Sequence, residues 1–511
     1  MDLGTALRWT AERYPGRRAV GGRHPLTYAE WDEHTGRLAR ALGELGVRPG
    51  DRVVFVLAGG LPLASLHLAA QKLGAVSVPL SFRFGAPELA YCIADAAPAL
   101  VVFDEPHEEL VGTALAQIPP VAGSSAEAIE TQASRGGVAP AVAVPDDAIS
   151  VMLYTSGTTG KPKGVPRTHA AEHYAALAHI IQTGQSCFDT TLGVMPLFHT
   201  MGMRTLLSSV VTASTWVPQV RFDADEAMEL VLREGVNSLY LVPTIFWSLL
   251  RTGRLAEAQS VEKISYAGAA MTTALAGQLT EALRPRKFVN HFGSTEIYTF
   301  SVGPNAAAKP GSAGRAGVFS RIRLVAPEPG AGPDDLVGPG EQGQLAVSMA
   351  SPEAFSGYWN RPDANAKSIR DGWYFPGDLA TADEDGDLWV AGRVDDMINS
   401  GGENIYPDEI EDALARCPAV REVVVAGTSD DRWGQAVTAF FVPEHGFAPG
   451  EAVEQVWRFA REGSGLPSLK RPKRVIAVPE IPKSAVGKIL RRELGAGHYE
   501  VLARHDLQEH A

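Results

Sequence analysis

Tyr154–Val165, Y-T-S-G-T-T-G-K-P-K-G-V, combines glycine, hydroxyl and lysine residues in one short stretch. It follows an apolar run that includes Val151, Met152 and Leu153. The run predicts a buried strand, so the polar residues form the loop that leaves it. Glycines let a backbone approach a ligand closely, and successive N–H groups then point at an anion. With hydroxyl donors and lysine charge added, the stretch predicts a loop that holds a polyphosphate.

This stretch is not a Walker A loop. That motif places Ser or Thr directly after its lysine, whereas here Pro162 follows Lys161. A flexible surface turn is the simplest alternative interpretation. Because such a turn does not need so many hydroxyl groups, we favour phosphate binding.

Length and charge narrow the class of protein. A chain of 511 residues is too long for one ordinary domain and predicts two or more. Hydrophobic residues make up 45% of it, which is enough for a large core. The net charge of −13 argues against nucleic-acid binding, although local patches decide whether small anions bind.

The cysteines and the apolar runs predict a cytoplasmic protein. Cys92, Cys187 and Cys417 are scattered without metal-ligand spacing, so we expect neither disulfides nor a cysteine metal site. We expect no signal peptide, because no basic segment followed by an apolar core opens the sequence. No apolar run approaches the roughly 18 residues that a membrane span requires.

Valine-rich runs alternate with helical patterns in the first half of the chain. This rhythm predicts an α/β fold with a mostly parallel, buried sheet. The runs are Val53–Leu57, Val76–Leu80 and Ala99–Phe103. Thr27 and Glu30 form a predicted capping box, and the helix after it would place Trp31, Leu38, Leu42 and Leu45 on one face.

The later chain predicts a change of architecture. Ile118–Pro145 is rich in Ala, Pro, Gly and Ser, and we expect a surface connection there. Gly303–Gly317 and Pro327–Gly340 are loop-like, with short antiparallel strands expected around them. A domain boundary is expected near Arg393–Asp396, followed by a compact α+β unit.

Two short segments carry candidate site residues, and each has a simpler explanation. Asn290–Glu296, N-H-F-G-S-T-E, offers hydroxyls for phosphate and a carboxylate for Mg²⁺, or is a strand end with a solvated Glu296. Trp373–Asp378, W-Y-F-P-G-D, offers an acid for ribose hydroxyls, or is a type II turn.

Two further segments favour function over packing. Residues 391–404 combine a basic residue, two acids and a glycine pair ahead of Pro407, which we expect to open a helix. Residues 482–492 are locally basic, which is also typical of a solvated face. The Gly487-Lys488 pair within them favours a positioned lysine.

Together and in this order, these segments resemble those of the adenylate-forming superfamily, and aryl-CoA ligases in particular. The resemblance extends over essentially the whole chain. It also rests on Met195–His199, Tyr266–Met271, Gly392–Ile398, Ser400–Ile405, Arg432–Gln435 and Lys470–Arg474.

The resemblance implies two domains. Residues 1–394 would form an N-terminal adenylation domain of two helix-flanked sheets plus a distorted β-barrel, which binds ATP and the acid. Residues 395–511 would form a small mobile α+β domain that carries the catalytic lysine, Lys488. Asp395 matches the hinge of the family.

The resemblance also implies nucleotide contacts. The phosphate loop, the wall beside the adenine, the ring stacked on it, and the phosphate and ribose contacts would be supplied by Thr155, Ser156, Gly157, Thr158, Thr159, Gly160, Lys163, Gly268, Ala269, Ala270, His291, Phe292, Gly293, Ser294, Thr295, Asp378 and Arg393. Glu296 matches the Mg²⁺ ligand. Thr155, His199 and Glu296 join Lys488 as catalytic candidates.

The remaining implied contacts concern the acid and CoA. The acid pocket would include His199, Thr200, Met201, Gly268, His291 and Gly293. CoA would contact Arg83, Gly401, Gly402, Trp433 and Arg471. The chain departs from the family pattern at Met271, where proline is frequent, and at Leu469, where the compared aryl ligases have an aromatic residue.

The expected activity is ATP- and Mg²⁺-dependent acid–CoA ligation through an acyl-adenylate. The expected acid is aromatic or bulky and cyclic, because His199 stands where amino-acid-activating relatives carry an aspartate for the ammonium group. A fatty acid–CoA ligase, an enzyme loading a carrier protein in trans, and a non-catalytic nucleotide-binding relative stay open. A homodimer stays open as well.

Overall fold

The computed structural model describes residues 2–140, 142–155, 161–328, 330–400, 403–405, 407–483 and 489–507. For Asp395, Asn399, Glu403 and Asn404 only the backbone is described. The chain divides into two compact units. Unit 1 comprises Met1–Arg323, Ala346–Pro376 and Ala382–Trp389, and unit 2 comprises Leu324–Leu345, Gly377–Thr381 and Val390–Ala511. The predicted boundary between residues 394 and 395 stays a prediction.

A six-stranded sheet carries the start of the phosphate loop in unit 1. The strands pair in parallel except for the last two, which form an antiparallel hairpin. Within the described residues the order across the sheet is Ala122–Ser125, Leu100–Phe103, Arg52–Val56, Val76–Pro79, Ile149–Thr155 and Lys163–Thr168. The predicted valine-rich strands are therefore confirmed as parallel neighbours.

A second sheet of unit 1 has nine strands among the described residues. Its inner strands are parallel, and its edges are antiparallel. The order is Arg315–Ala316, Ser301–Gly303, Lys287–Phe292, Lys263–Tyr266, Ser238–Leu241, Thr190–Gly193, Thr215–Pro218, Arg18–Val20 and Leu26–Thr27.

Helices accompany both sheets, as the alternating pattern predicted. They are Leu3–Arg13, Tyr28–Glu44, Gly60–Leu73, Ala86–Ala96, Glu108–Leu115, Ala126–Ser134, His169–Thr183, Thr200–Val211, Ala224–Glu234, Pro243–Arg251, Thr273–Leu283 and Pro362–Ser368. The Thr27–Glu30 capping box is present. Trp31 and Leu38 are buried, but Leu45 lies beyond the helix end and is 39% exposed. Its predicted place on the buried face was wrong.

The surface connection predicted for Ile118–Pro145 is also partly wrong. This segment contains an edge strand, Ala122–Ser125, and a helix, Ala126–Ser134. Ser125 accepts a hydrogen bond from the backbone N–H of Ala128, and Ile129 is fully buried. Alanine is the best helix former, so a capped alanine-rich stretch folds where its composition had suggested a loop.

Short antiparallel strands follow, as predicted for this part of the chain. Their bounds are Ile322–Val325, Gly343–Ser348, Ile369–Arg370, Trp373–Tyr374, Asp378–Ala382 and Leu388–Arg393. In unit 1, Val347 and Ser348 pair antiparallel with Tyr374 and Trp373. Closure of these strands into a barrel stays a prediction.

Unit 2 contains the predicted α+β arrangement. Its further strands are Ile398–Ser400, Glu403–Ile405, Val420–Asp430, Gly434–Pro443, Arg474–Ala477 and Ala503–Asp506. Its helices are Pro407–Leu414, Pro449–Glu462 and Arg491–Gly495. Pro407 opens the first helix, where the missing N–H leaves no intrahelical bond unmade.

The described part of the chain includes no helix that is long and apolar enough to cross a membrane.

A buried ionic group lies in unit 1, on the strand Lys163–Thr168 and the helices His169–Thr183 and Thr200–Val211. Arg167, Glu172 and Arg204 are all fully buried. Both arginines bond Glu172 Oε1, Arg204 through Nη2 at 2.9 Å and Arg167 through Nε. Burial alone would raise the pKa of Glu172, but Arg204 and Arg167 lower it to about 2. The carboxylate is therefore charged in the folded protein.

We expect Glu172→Gln to lower the free energy of unfolding by about 3–5 kcal/mol, because two arginine charges would stay buried without their anion. Urea denaturation measures the change, and Glu229→Gln on an exposed helix position is the control. The stabilisation is present above the ordinary pKa of 4.5 and is lost as the pH falls towards the folded value of about 2. Equal unfolding free energies for the two variants would contradict this prediction.

Candidate active site

The turn after strand Lys287–Phe292 presents Glu296. Gly293 allows this turn, because a Cβ there would lie 1.8 Å from the carbonyl oxygen of Tyr298. The backbone N–H of Ser294 donates to the carbonyl of Ile297 at 3.0 Å. The Ser294 hydroxyl accepts from the N–H of Glu296 at 3.2 Å. Local hydrogen bonds therefore fix the turn before any ligand is considered.

Glu296 is held at its backbone and at its side chain. Its carbonyl accepts from Phe355 N–H at 2.8 Å and from Arg167 Nη1 at 3.3 Å. Its Oε1 accepts from the Tyr358 hydroxyl at 2.7 Å. The residue is 6% exposed, so its carboxylate is largely shielded from water.

The strands that flank the phosphate loop contact the same turn. Thr155 pairs with Lys163 across the hairpin, which brings the two ends of the loop together. Lys163 Nζ lies 4.0 Å from the centre of the Tyr358 ring. Arg167, on the second strand, donates to the carbonyl of Thr295 at 2.9 Å. The structure thus brings Thr155, Lys163, Thr295 and Glu296 into one region of unit 1.

The segments predicted to hold the adenine and the acid are also neighbours. Gly268 has a φ of +85°, and a Cβ there would lie 3.3 Å from Val242 Cγ1 and 3.8 Å from Met201 Sδ. Gly268, Ala269 and Ala270 are exposed. Phe292 is half-buried and packs edge-to-face on Phe300, with ring centres 5.3 Å apart.

His199 caps the helix Thr200–Val211. Its Nδ1 accepts from the backbone N–H of Met201 at 3.3 Å. Burial lowers the pKa of His199 to about 4, so the ring is neutral at physiological pH. Thr200 is buried and accepts from Arg204 Nη2 at 3.3 Å. The predicted acid segment therefore offers neutral groups at these positions.

The ring of His291 belongs to a buried polar network. Its Nδ1 lies 3.3 Å from the Tyr240 hydroxyl, and its Nε2 lies 3.0 Å from Thr299 Oγ1. Burial, followed by the charge of Arg204, lowers the pKa of His291 to about 3. A direct contact of this side chain with nucleotide or acid stays a prediction, and the structure shows its ring nitrogens bonded within the core.

Two predicted ribose contacts bond each other in unit 2. Arg393 Nη1 donates to Asp378 Oδ1 at 3.0 Å. Both side chains are partly buried. The predicted pair is therefore adjacent, and the ribose itself stays a prediction.

The described CoA candidates lie beside aromatic or basic side chains. Arg83 is exposed, and its guanidinium lies 5.7 Å from the centre of the Phe82 ring. In unit 2, Arg432 and Lys473 approach the Trp433 ring to 5.0 and 5.1 Å. Arg471 Nε donates to the carbonyl of Leu466 at 3.0 Å.

Several predicted site residues lie outside the described residues. They are Ser156, Gly157, Thr158, Thr159, Gly160, Gly401, Gly402 and Lys488. The backbone of Asp395 lies in the short 3₁₀ turn Val394–Asp396. Their roles stay predictions.

The chain matches known families along most of its length. Residues 7–359 match the model described as AMP-binding enzyme, and residues 409–488 match the AMP-binding enzyme C-terminal domain. The chain belongs to the AMP-binding enzyme family. The predicted resemblance to adenylate-forming enzymes is confirmed.

The relatives of this chain include three enzymes named as CoA ligases or acyl-CoA synthases. Feruloyl-CoA synthase of Amycolatopsis sp is 33% identical over 92% of this chain and 93% of the relative. Long-chain-fatty-acid–CoA ligase FadD13 of Mycobacterium tuberculosis is 32% identical over 92% of both chains. 4-Chlorobenzoate–CoA ligase of Arthrobacter sp is 32% identical over 96% of this chain and 94% of the relative.

Solved structures agree with the family assignment. One is o-succinylbenzoate CoA synthetase MenE from Bacillus subtilis in complex with the acyl-adenylate intermediate OSB-AMP. It has a TM-score of 0.85 and 27% identity, covering 97% of this chain and 98% of that one. MenE in complex with ATP and magnesium ion has a TM-score of 0.83 and 27% identity, covering 96% and 98%. The fold class is therefore that of adenylate-forming enzymes.

The donors around Glu296 fit the hard cation that the family implies. A buried carboxylate shares its turn with the hydroxyl-bearing residues Ser294 and Thr295, and oxygen donors are what Mg²⁺ prefers. A second acidic group does not serve as such a site. Asp383, Asp385 and Asp387 converge, but Lys309 Nζ bonds all three at 3.2, 2.5 and 2.6 Å and supplies their counter-charge.

Two residues that position this turn, Tyr358 and Arg167, were not among the predicted site residues. Tyr358 is separated from Glu296 by 62 positions, and Arg167 from Thr295 by 128. Tyr358 carried no local signal. Arg167 did carry one, since an arginine that follows Val165 and Pro166 within a short strand requires a partner if the strand is buried.

We expect Gly293→Ala to weaken ATP binding by about tenfold or more, because the added Cβ would overlap the Tyr298 carbonyl and move the turn. Calorimetry measures ATP affinity, and circular dichroism checks that the fold is kept. Gly277→Ala is the matched control, since its Cβ meets open space on an exposed helix face. ATP binding of equal strength in the two variants would show that this turn does not shape the nucleotide site.

Proposed function

We propose that this chain is an ATP-dependent carboxylic acid–CoA ligase that acts on an aromatic or bulky cyclic acid. The observation that carries the proposal is the contact between the phosphate-loop strands and the turn that presents Glu296. That contact supports polyphosphate binding, because the segments that meet carry a lysine, hydroxyl groups and a carboxylate. Membership of the AMP-binding enzyme family and the named relatives support the same chemistry.

The reaction has two halves. A carboxylate oxygen of the acid attacks the α-phosphorus of ATP, the bond to the bridging oxygen breaks, and pyrophosphate leaves. The CoA thiol then loses its proton and attacks the acyl carbon, the carbon–oxygen bond to AMP breaks, and AMP leaves. No covalent bond to the protein is needed, so positioning and electrostatics are the contributions of the chain.

In the first half-reaction, different residues of the chain would bind the phosphates, the metal ion and the ribose. Lys163 and the hydroxyl-rich loop would bind the phosphates, and Lys488 would neutralise charge developing during transfer. Glu296 would hold Mg²⁺ together with the phosphates. When bound, the ion supplies positive charge to the phosphate oxygens. Asp378 and Arg393 would bind the ribose hydroxyls.

The second half-reaction would use the same site after the small domain moves. Asp395 is the proposed pivot, and Gly401 and Gly402 would line the path of the pantetheine arm, where a side chain would obstruct it. Arg83, Trp433 and Arg471 would contact CoA.

ATP and CoA as co-substrates, together with cysteines that are all free, support action in the cytoplasm.

The neutral acid segment supports a substrate without an ammonium group. His199 is uncharged at neutral pH, so it would leave an amino-acid ammonium unpaired in a buried site. Met201 and Gly268 lie close to each other there. The flexible thioether of Met201 and the absent side chain of Gly268 would suit a flat ring. The feruloyl and 4-chlorobenzoate relatives support a ring acid, whereas FadD13 favours the alternative of a fatty acid. Carrier-protein loading and a homodimer are further open proposals.

We expect Lys488→Ala to reduce acyl-adenylate formation by about 10²–10³-fold, because it removes a positive group from developing negative charge. Thioester formation from pre-made acyl-adenylate and CoA should stay near the wild-type rate. Pyrophosphate release and CoA-dependent AMP release measure the two halves separately. Lys483→Ala, on the same basic segment, is the control. Equal losses in both half-reactions would overturn the proposed role.

We expect kcat/KM to be higher for benzoate-, naphthoate- or alicyclic acids than for straight-chain acids of similar size, because rings pack well against flat and small walls. Pyrophosphate release across such a panel measures the preference. Amino acids should be rejected. A clear preference for straight chains over every ring acid would replace the proposed substrate with a fatty acid and leave the ligase chemistry intact.

A further inference from the structure

We propose that Tyr358 is a positioning residue that aims the Glu296 carboxylate at the metal–nucleotide complex and places Lys163 beside it. This inference rests on the proposed function, because it assumes that Glu296 serves as a metal ligand. Tyr358 is 5% exposed and touches both charged groups, one through its hydroxyl and the other through its ring. Unlike Glu296 and Lys163, it lies outside the family segments on which the sequence assignment rests.

The hydroxyl contact fixes one oxygen of the carboxylate. A charged carboxylate only accepts hydrogen bonds, so the Tyr358 O–H must donate to Glu296 Oε1 at 2.7 Å. Among the hydrogen bonds between described side chains, this is the one that the carboxylate makes. Oε1 is thereby held on the Tyr358 side, and Oε2 is the oxygen presented to a cation.

A second phenol contacts the oxygen of the Tyr358 hydroxyl. The Tyr374 hydroxyl lies 3.3 Å from the Tyr358 hydroxyl. Since the proton of Tyr358 is committed to Glu296, Tyr374 must be the donor in the second contact. The Tyr374 hydroxyl therefore donates to the Tyr358 oxygen, and the Tyr358 hydroxyl donates to the Glu296 carboxylate.

The ring contact acts on the phosphate-loop side. Lys163 Nζ lies 4.0 Å from the Tyr358 ring centre, which is a favourable position for a cation over an aromatic face. The ammonium is held at the face of the ring and the carboxylate at its hydroxyl. The Tyr358 side chain thus holds the Lys163 ammonium and the Glu296 carboxylate at different positions, so that the two groups do not need to form an ion pair with each other.

The backbone of Glu296 is fixed independently, so within this residue Tyr358 acts on the side-chain carboxylate and not on the main chain. Phe355 N–H and Arg167 bond the Glu296 carbonyl, and Ser294 bonds its N–H. Removing the Tyr358 hydroxyl should therefore free the rotation of the side chain without moving the turn. This separates positioning from folding and makes a test possible.

The test compares nucleotide binding with and without Mg²⁺. Calorimetry measures the affinity of wild type, Tyr358→Phe, Tyr358→Leu and Glu296→Gln for α,β-methylene-ATP, which is not cleaved between the α- and β-phosphates. Tyr28→Phe is the matched control, because it removes another buried hydroxyl that donates to the Ser209 and Ser214 carbonyls. Thermal unfolding reports the stability of each variant.

We expect Mg²⁺ to tighten analogue binding to wild type and to Tyr28→Phe by the same factor. That factor should fall about tenfold in Tyr358→Phe, since a hydrogen bond to a charged group is lost, and further in Glu296→Gln. Without Mg²⁺, Tyr358→Phe should bind as wild type does, because the ring under Lys163 remains. Tyr358→Leu should bind more weakly even without Mg²⁺.

Two results would overturn the proposal, and they differ in meaning. If Glu296→Gln loses the Mg²⁺ effect while Tyr358→Phe keeps it in full, Tyr358 does not position the carboxylate, although Glu296 is still the metal ligand. If Mg²⁺ has the same effect on wild type and on Glu296→Gln, the metal role proposed for Glu296 fails and the role of Tyr358 fails with it.

Discussion

The buried bond between Glu172 and two arginines links the segments from which the candidate site is built. Arg167 belongs to the strand that leaves the phosphate loop, and Arg204 belongs to the helix that follows His199. Arg167 also donates to the backbone carbonyls of Thr295 and Glu296. One buried carboxylate thus connects the three segments of unit 1 that are proposed to bind the phosphates, the acid and the metal ion.

Such a group is an expensive way to stabilise a core. Removing three charges from water has a large desolvation cost, and apolar residues of similar size often give equal or greater stability. The ionic group instead provides hydrogen bonds with a defined orientation. A guanidinium bonds in a fixed plane, so Arg167 orients two carbonyls and a carboxylate at once, which no aliphatic side chain can do. The turn around Glu296 gains a fixed geometry from this arrangement.

The sequence predicted the elements and segments whose signals are local. Valine-rich strands, the Thr27 capping box and the Pro407 helix start all depend on residues a few positions apart, and all are present. The prediction of a surface connection after Ile118 was partly wrong, because the composition of this alanine-rich segment is loop-like although part of it forms a capped helix. The contacts of Glu296 with Tyr358 and Arg167 were not predictable, because they join residues that only the folded chain brings together.

Burial accounts for most of the neutrality of the histidines in and near the predicted acid segment, and the charge of Arg204 adds to it at His291. Burial, followed by the charge of Arg204, lowers the pKa of His291 to about 3. At His179 burial again contributes most to a lowered pKa, followed by His291 and then Arg204. Burial alone lowers the pKa of His199 to about 4. These rings are therefore polar but uncharged, and they can donate or accept hydrogen bonds without attracting an ion. In the proposed function, these neutral side chains would surround the body of the acid, and the positive charge of Lys163 would attract its carboxylate towards the nucleotide.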